Sequence, residues 1–178
     1  MNIFYLHSDP IQNAKWYIDK HIVKMPTEYC QLLSSAHRII DGKIYQGINK
    51  NKRNVKKWKL PDQRENLLMQ VTHANHPSNI WVRHSRSNYI KLWKIYISCL
   101  AEFSYRYNKV HGANRLSLIL MSPPKKLEDL GTTTIPQAMP DYCKIPGNTI
   151  GGYRNFYKKE KKNFATWKKR SKPKWFNT

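Results

Sequence analysis

Apolar residues recur at three- and four-residue spacing along much of this chain, a period typical of amphipathic helices that bury one face. The clearest stretch covers about 88–108, where the repeat is carried by Tyr89, Leu92, Trp93, Tyr96, Leu100, Phe103 and Tyr107. A longer helical stretch covers about 11–40. Its Pro26 predicts a break and a restart, because proline interrupts the hydrogen bonding of a helix. Shorter helices are predicted over about 61–72, 111–124 and 149–167.

The remaining segments lack this period. Residues 2–6 predict a short buried strand or an extended start, 43–60 predict a basic loop or hairpin, and 125–150 form a long loop rich in Pro, Gly and Thr. A loop of that length in a compact domain is typically functional or a lid. We therefore expect a mainly α fold: one compact helical domain over 1–178 with a short N-terminal extended segment, a long Pro/Gly-containing loop and a basic tail at 168–178.

The charge of the chain indicates the class of partner. Lys and Arg number 32 against 11 Asp and Glu, a formal net charge of +21 on 178 residues. The basic residues are interspersed with 6 Trp and 11 Tyr rather than confined to a tail. Cationic side chains release counterions condensed on a polyanion, so nucleic acid is the favoured partner. The alternative is a basic surface that serves solubility alone.

Cysteine usage and the N-terminal sequence bear on location. The three Cys, at 30, 99 and 143, form no Cys-x-x-Cys pair, which argues against a disulfide framework or a Cys-rich zinc site. The sequence Met-Asn-Ile-Phe-Tyr-Leu lacks a basic segment followed by an apolar one, and no apolar run approaches ~18 residues. We therefore expect a cytoplasmic protein with reduced thiols and no membrane association.

A first group of candidate site residues lies in the predicted helix that follows residue 19. Lys20, His21 and Lys24 precede Glu28, which lies beside an apolar stripe and hence near the boundary of the core. Burial of a carboxylate is costly without a partner, and a carboxylate near Lys or His can act as a tuned general base. The alternative for Glu28 is an ordinary ion pair that locks two helices together.

A second group surrounds Asn75-His76-Pro77. His73 and His76, three residues apart, have the spacing of metal ligands, but no third ligand follows at a recognisable spacing, so no metal site is expected. The favoured interpretation is a helix start at which the Asn75 and His76 side chains cap the backbone or contact a phosphate.

A third group follows two glycines near the C-terminus. Glycine at a helix start allows close approach of an anion, and Arg154 is suited to bidentate contact with a phosphate. Tyr157 is a candidate for stacking on a base. The lysine run adds to the positive field or simply forms a solvated face; it comprises Lys158, Lys159, Lys161 and Lys162.

Two of these stretches resemble the family of pyrimidine-dimer DNA glycosylases. The similarity in the middle of the chain is carried by Asn75-His76-Pro77, Trp81, Tyr89, Tyr96, Glu102 and Arg106-Tyr107. The earlier part resembles a basic, Glu-containing helix and is carried by His21, Lys24, Glu28 and Gln31-Leu32-Leu33. The likeness covers roughly residues 15–110. Residues at the two ends are similar to tailed-phage proteins of uncharacterised function, which would place the chain in the host cytoplasm.

The resemblance implies a small helical enzyme that bends duplex DNA and flips a nucleotide, without a cofactor. In that family an N-terminal α-amine attacks the sugar C1′ to form a Schiff base, and a Glu assists ring opening; Glu28 is the matching acid. Asn2 is bulky for removal of the initiator methionine, so the amine is expected on Met1, with Ile3-Phe4-Tyr5 buried behind it. An α-amine has a pKa of about 8, which leaves a sizeable free-base fraction near neutrality.

Three functions remain open on this sequence. Base excision is the first, with Glu28, Met1 and His21 as catalytic candidates. The second is transfer of a group to a flipped, modified pyrimidine, with Glu28 as base and Lys20, His21, Lys24 and Arg154 on a phosphate or pyrophosphate leaving group. The third is a DNA-binding protein without enzymatic activity. The nucleic-acid candidates are Lys20, Lys24, Asn75, His76, Arg154, Tyr157, Lys158, Lys161 and Lys162.

Overall fold

A computed structural model describes residues 1–48 and 51–177, so Lys50 of the predicted basic loop lies outside the described residues. The fold is mostly helical with a small sheet, as predicted. Its elements are α1 (Pro10–Lys15), α2 (Asp19–Asp41), β1 (Lys43–Ile48), β2 (Asn54–Lys59), α3 (Arg64–Leu67), α4 (Pro77–Val82), α5 (Arg86–Tyr107) and α6 (Thr149–Glu160). Short 3₁₀ turns occur at Gly112–Leu116, Ile119–Met121, Asp141–Cys143, Lys162–Phe164 and Lys174–Phe176.

The first two helices correct the predicted break at Pro26. Asp9 caps α1 by accepting a hydrogen bond from the Ile11 N–H at 2.7 Å, and the chain leaves the helix after Lys15. Helix α2 then runs unbroken through Pro26. Pro26 is buried beside Met25, so packing in the core outweighs the one backbone hydrogen bond that proline cannot donate.

Two predicted helices are much shorter than expected. Side chains from other parts of the fold donate hydrogen bonds to the backbone carbonyl groups that a longer helix would use. In 61–72 only Arg64–Leu67 is helical, and the Arg38 guanidinium accounts for the rest by binding the carbonyl oxygens of Leu68 and Met69. The predicted helix at 111–124 is replaced by two 3₁₀ turns. There the acceptors are the carbonyls of Ala113, Ser117 and Leu120, and the donors from α5 are Tyr96, Trp93 and Tyr89.

The predicted basic hairpin is confirmed. Strands β1 and β2 pair antiparallel, with Lys43 opposite Lys59 and Ile48 opposite Asn54. In contrast to the rest of the chain, most of its side chains are exposed. We call these two strands the ribbon.

The core lies between α2, α5 and α6 and includes the start of the chain. Residues 1–9 are neither helix nor strand, yet Ile3 and Leu6 are fully buried. The fully buried Arg106 holds the α1–α2 corner through the carbonyls of Lys15 and Tyr17 and an ion pair with Asp19. These contacts hold the end of α1 and the start of α2 in place beside the N-terminal residues.

Two further expectations concern α6 and the long loop. Helix α6 ends at Glu160, seven residues before the predicted end at 167. The loop predicted at 125–150 is irregular except for the turn at Asp141–Cys143 and the start of α6.

The cysteines at 30, 99 and 143 are all buried free thiols. Within the described ranges, no helix has both the length and the apolar character needed to cross a membrane.

Candidate active site

Five of the ionisable candidates from the sequence line one small cavity. Its volume is about 170 Å³, and three segments enclose it: the first residues of the chain, the first half of α2 and the end of α6. Its lining residues are Met1, Asn2, Phe4, His21, Lys24, Met25, Glu28, Phe156 and Lys161. We refer to it as the Met1–Glu28 cavity. It is smaller than the ~300–1,000 Å³ typical of sites for drug-sized ligands.

Hydrogen bonds fix the N-terminal segment at the cavity. The Leu6 N–H donates to Asn13 Oδ1 at 2.7 Å, and Ser78 Oγ donates to the Met1 carbonyl at 3.4 Å. Ile3 is fully buried and Phe4 is nearly so, as expected, whereas Tyr5 is only half-buried. Met1 is therefore held in the wall of the cavity while remaining partly exposed.

Glu28 is the carboxylate of the cavity. Its Oε1 lies 2.9 Å from Lys24 Nζ, and the side chain of Glu28 is 13% exposed against 68% for Lys24. The two residues are one turn apart on the same helix. The ion pair therefore does not lock two helices together, which was the structural alternative for Glu28.

His21 is a neutral group rather than a phosphate-binding cation. Its ring stacks on Phe4 with 4.1 Å between ring centroids, and its Nδ1 lies 2.6 Å from the Tyr157 hydroxyl. Burial lowers the pKa of His21 to about 3, and the nearby charges of Lys161 and Lys24 lower it further in the same direction. A neutral imidazole can accept or pass on a proton but offers an anion no charge.

Tyr157 does not reach solvent. The side chain is fully buried and meets His21, and burial raises the pKa of its phenol well above the ordinary value. The predicted stacking of Tyr157 on a base is therefore wrong for this conformation. Its role in the site is to fix the His21 ring.

His76 caps α4, as one of the two predicted interpretations required. Its Nδ1 accepts a hydrogen bond from the Ser78 N–H at 3.1 Å. Burial lowers the pKa of His76, as do the charges of the Met1 amine and His73, while Glu28 raises it. The pKa of His76 therefore responds to the charges of both the Met1 amine and the Glu28 carboxylate. Asn75 is exposed and does not line the cavity.

Arg154 lies elsewhere. Its guanidinium lies over the rings of Trp16 and Trp175, at 5.0 and 5.4 Å from their centroids, and its Nε donates to the Leu6 carbonyl at 3.1 Å. This packing ties the C-terminal segment to the N-terminal one. The bidentate phosphate contact predicted from the sequence has no free Nε–H to use, because that donor is already bonded to the Leu6 carbonyl.

The lysine candidates divide into two groups. Lys24 and Lys161 line the cavity, and the Lys161 ammonium lies 4.6 Å from the Phe156 ring centroid. Lys20 is exposed with its ammonium 4.3 Å from the Phe164 centroid, Lys162 is exposed, and Lys158 is half-buried. The last three do not line the cavity.

Four residues of the cavity wall were not among the candidates from the sequence: Asn2, Phe4, Met25 and Phe156. Met25 follows His21 by four residues, so the helical period that joins 21, 24 and 28 also places 25 on the same face. That period was a usable signal. Asn2 had no such signal, because its position depends on how the irregular N-terminal segment folds back.

Two larger clefts lie beside Tyr5. Their volumes are about 430 and 380 Å³, and both are lined by Tyr5, Lys91 and Thr132. Neither is lined by a predicted catalytic residue, and neither contains a carboxylate. The smaller cavity is the better candidate, since Met1, the Glu28 carboxylate and the buried His21 imidazole all line it. Across residues 1–48 and 51–177, no three His, Cys, Asp or Glu side chains are grouped to hold a metal ion.

Comparison with known proteins adds no assignment. The chain matches no protein-family model, no curated protein and no solved structure. The likeness to pyrimidine-dimer glycosylases therefore stays a prediction from the residues quoted above.

Proposed function

We propose that this protein is a DNA glycosylase with an associated lyase activity, which acts on a nucleotide flipped out of duplex DNA. One observation carries the proposal: Met1 and Glu28 line the same small cavity, with neutral His21 between the N-terminal segment and α6. An amine and a carboxylate in one enclosed site are the two groups that imine formation at a sugar carbon needs.

The proposed reaction begins with the free-base α-amine of Met1. Its nitrogen forms a bond to the sugar C1′ while the bond from C1′ to the base breaks, and the base leaves with the electron pair and takes a proton from water. The nitrogen, which now carries two hydrogens and a positive charge, loses one proton to the Glu28 carboxylate. That proton passes from the Glu28 carboxyl to the ring oxygen as the C1′–O4′ bond breaks, leaving a protonated imine at C1′.

The surroundings of the cavity support entry of a flipped nucleotide. A cavity of about 170 Å³ admits a single base or sugar, not a segment of duplex. Lys24 and Lys161 bring positive charge to its wall, and Lys20 and Lys162 are exposed on nearby segments. These ammonium groups would contact the phosphates that flank a flipped nucleotide.

Borohydride trapping tests the proposal directly. The protein is incubated with duplex DNA that carries either an abasic site or ultraviolet photoproducts, and the imine is reduced to a covalent adduct. We expect an adduct whose modified peptide begins at Met1. Intact mass measurement of the free protein first establishes that Met1 is the terminal residue.

Two other outcomes would point to different mechanisms. An adduct on Lys24 or Lys161 would support a Schiff-base intermediate but would identify a lysine, and not Met1, as the nucleophile. No adduct, with DNA binding retained and no effect of Glu28→Gln on any DNA product, is the result expected of a protein that only binds. Either result contradicts the role of Met1.

A second function is favoured by the charge of the cavity. Two ammonium groups, Lys24 and Lys161, face one carboxylate, and both lower the pKa of His21. Net positive charge in an enclosed site stabilises a phosphate or pyrophosphate leaving group. Under this alternative Glu28 is the base in group transfer to a flipped, modified pyrimidine. Its signature is a new modified nucleoside, detected by mass spectrometry only when a donor or a premodified base is supplied.

A further inference from the structure

The ribbon has two faces of different chemistry. Directly opposed residues of an antiparallel pair share a face, so the register places four side chains together: Lys43, Tyr45, Lys57 and Lys59. The other face carries Ile44, Gln46, Ile48, Asn54, Lys56 and Trp58. The first face thus presents three lysines, and the second, which we call the apolar face, presents two isoleucines and a tryptophan beside three polar residues.

The first strand leaves large apolar side chains uncovered on both faces, whereas Trp58 on the second strand is half-buried. Ile44, Tyr45 and Ile48 are 57%, 46% and 62% exposed, although large apolar side chains are normally buried in a domain of this size. A two-stranded ribbon alone is marginally stable in water. Because β1 is exposed on both faces, packing against the body of the protein stabilises the ribbon little. A purely structural role therefore does not explain why the ribbon is present.

The charge of this segment is one-sided. Residues 43–59 contain seven Lys or Arg and no Asp or Glu. In the body of the protein, by contrast, the buried cations Arg38 and Arg106 each have carboxylate partners. An unbalanced cationic surface is complementary to a polyanion.

The base of the ribbon is held rigidly. Arg38, fully buried at the end of α2, donates to the Trp58 carbonyl at 3.0 Å and pairs with Glu65 at 2.6 Å. Glu65 in turn accepts from the Leu60 N–H at 2.8 Å. At Gly42 a Cβ would collide with the carbonyls of Arg38 and Lys59, so glycine is required where the chain turns into β1. A fixed base keeps the exposed strands in one orientation.

We infer that the ribbon is a second DNA-binding surface, which lies in the major groove of a duplex while its lysines contact the flanking phosphates. The choice of DNA as the partner rests on the proposed function. The major groove is about 12 Å wide and admits a two-stranded ribbon, whereas the minor groove of B-DNA is about half that width. Tyr45 and the apolar face then meet base edges and sugars.

The length of α2 sets the distance between the two surfaces. Glu28 and Asp41 are thirteen residues apart on this helix, which at about 1.5 Å per residue separates the cavity from the ribbon by roughly 20 Å. In B-DNA that distance corresponds to about six base pairs. The ribbon therefore contacts DNA some six or more base pairs to one side of the flipped nucleotide.

Salt dependence of binding tests the inference. The probe is a duplex of about 30 base pairs, and the variant is the triple substitution Lys43→Gln, Lys57→Gln and Lys59→Gln in the full chain. Loss of three phosphate contacts lowers the slope of log affinity against log salt by roughly 2 to 3, and weakens binding about 100-fold near 0.1 M salt. Lys43 and Lys59 are exposed and Lys57 is half-buried, so the melting temperature serves as the check on folding.

A matched control removes the same charge elsewhere. It carries three substitutions of exposed lysines outside the ribbon and the cavity: Lys109→Gln, Lys126→Gln and Lys174→Gln. We expect its slope to change by less than about 1. Equal slopes in the ribbon variant and this control would overturn the inference, as would a ribbon effect on duplex RNA as large as that on duplex DNA.

Footprinting locates the contact without any substitution. Hydroxyl-radical footprinting of the wild-type protein on a duplex with one abasic site is expected to show protection about six or more base pairs to one side, and the ribbon variant loses that protection alone. Borohydride trapping at saturating DNA separates the two proposals. If the ribbon variant still forms the adduct, the inference is tested apart from the chemistry; if wild type forms none while the footprint stands, only the proposed function fails.

Discussion

The two ends of α2 treat charge in opposite ways. At the N-terminal end, Glu28 and Lys24 pair beside a cavity in which His21 is kept neutral by burial. At the C-terminal end, the chain passes into a ribbon whose lysines have no acidic residue among them. Enclosed charges are few, paired and tuned, whereas exposed charges are many and of one sign. The first arrangement suits chemistry and the second suits attraction of a polyanion.

The same contrast explains why one helix can serve both surfaces. Arg38 anchors the base of the ribbon by donating hydrogen bonds to the backbone carbonyls of Trp58 and Glu65. The ribbon is therefore held at its base although its strands are exposed. The cavity, in turn, is closed by segments far from α2 in sequence. Each surface can therefore be disabled separately, and four substitutions or titrations test that separation.

Glu28→Gln should have the largest effect. Removal of the general acid and base lowers the rate of adduct formation on abasic DNA by about 10²- to 10⁴-fold, while DNA affinity changes by less than about twofold. Single-turnover trapping and a binding titration measure the two quantities. Glu160→Gln, which alters an exposed carboxylate bonded to Tyr142, is the matched control and should keep the wild-type rate. An equal loss in both variants would remove the special role of Glu28.

Arg38→Met should have the largest effect on stability. It leaves the Glu65 carboxylate and several buried carbonyl oxygens without their donor, which costs about 3–5 kcal/mol in the free energy of unfolding. Calorimetry or urea titration measures that loss. Lys126→Met, at an exposed position, should change stability by less than about 0.5 kcal/mol. A small effect of Arg38→Met would mean that the ribbon does not depend on this anchor.

A pH titration compares a buried histidine near each end of α2. Burial lowers the pKa of His21 to about 3 and, together with Arg64, that of His37 to about 4. Below pH 6.5 the unfolded chain binds protons that the native chain does not, so stability falls as the pH is lowered towards 4. Near pH 5.5 the expected slope is roughly 2–3 kcal/mol per pH unit, measured by urea unfolding.

His37→Gln supplies the control for that titration. Removing one of the two groups should reduce the slope between pH 6.5 and 5 by about half, since each neutral histidine contributes nearly one proton. A stability that is flat over this range would show that neither imidazole is held neutral.

Lys24→Gln should have the smallest effect on stability. The ion pair with Glu28 is an i,i+4 pair whose lysine is 68% exposed, so its loss costs at most about 0.5 kcal/mol. A shift of roughly 1–2 °C in melting temperature is expected. A much larger shift would indicate that the cavity depends on this pair for its shape.

The sequence predicted what periodicity and residue type determine. It identified the long helices, the basic hairpin and the grouping of Glu28 with His21 and Lys24, because one helical face holds them all. It failed at Pro26, where burial in the core outweighs a local breaking signal. It also failed at 61–72 and 111–124, since tertiary donors took carbonyl groups that the local pattern assigned to helices.

The functional residues divide in the same way. Met1 and Lys161 reach the cavity only through the path of the N-terminal segment and the end of α6, which no local pattern encodes. Arg154 and Tyr157 have the residue types of ligand contacts, but the fold uses them for packing against Trp16 and His21. Type and spacing alone cannot distinguish these uses, because the difference lies in burial.

The contact between His21 and Tyr157 also sets a time at which the protein can begin to act. These residues are 136 positions apart, and the ribosome adds about 5–20 residues per second. A nascent chain that has completed α2 therefore waits roughly 6 to 24 seconds before α6 exists to close the wall. During that interval the ribbon and its Arg38–Glu65 anchor are synthesised, but the Met1–Glu28 cavity still lacks the wall that α6 supplies. Under the two proposals above, the DNA-binding surface is therefore synthesised before the catalytic site is complete.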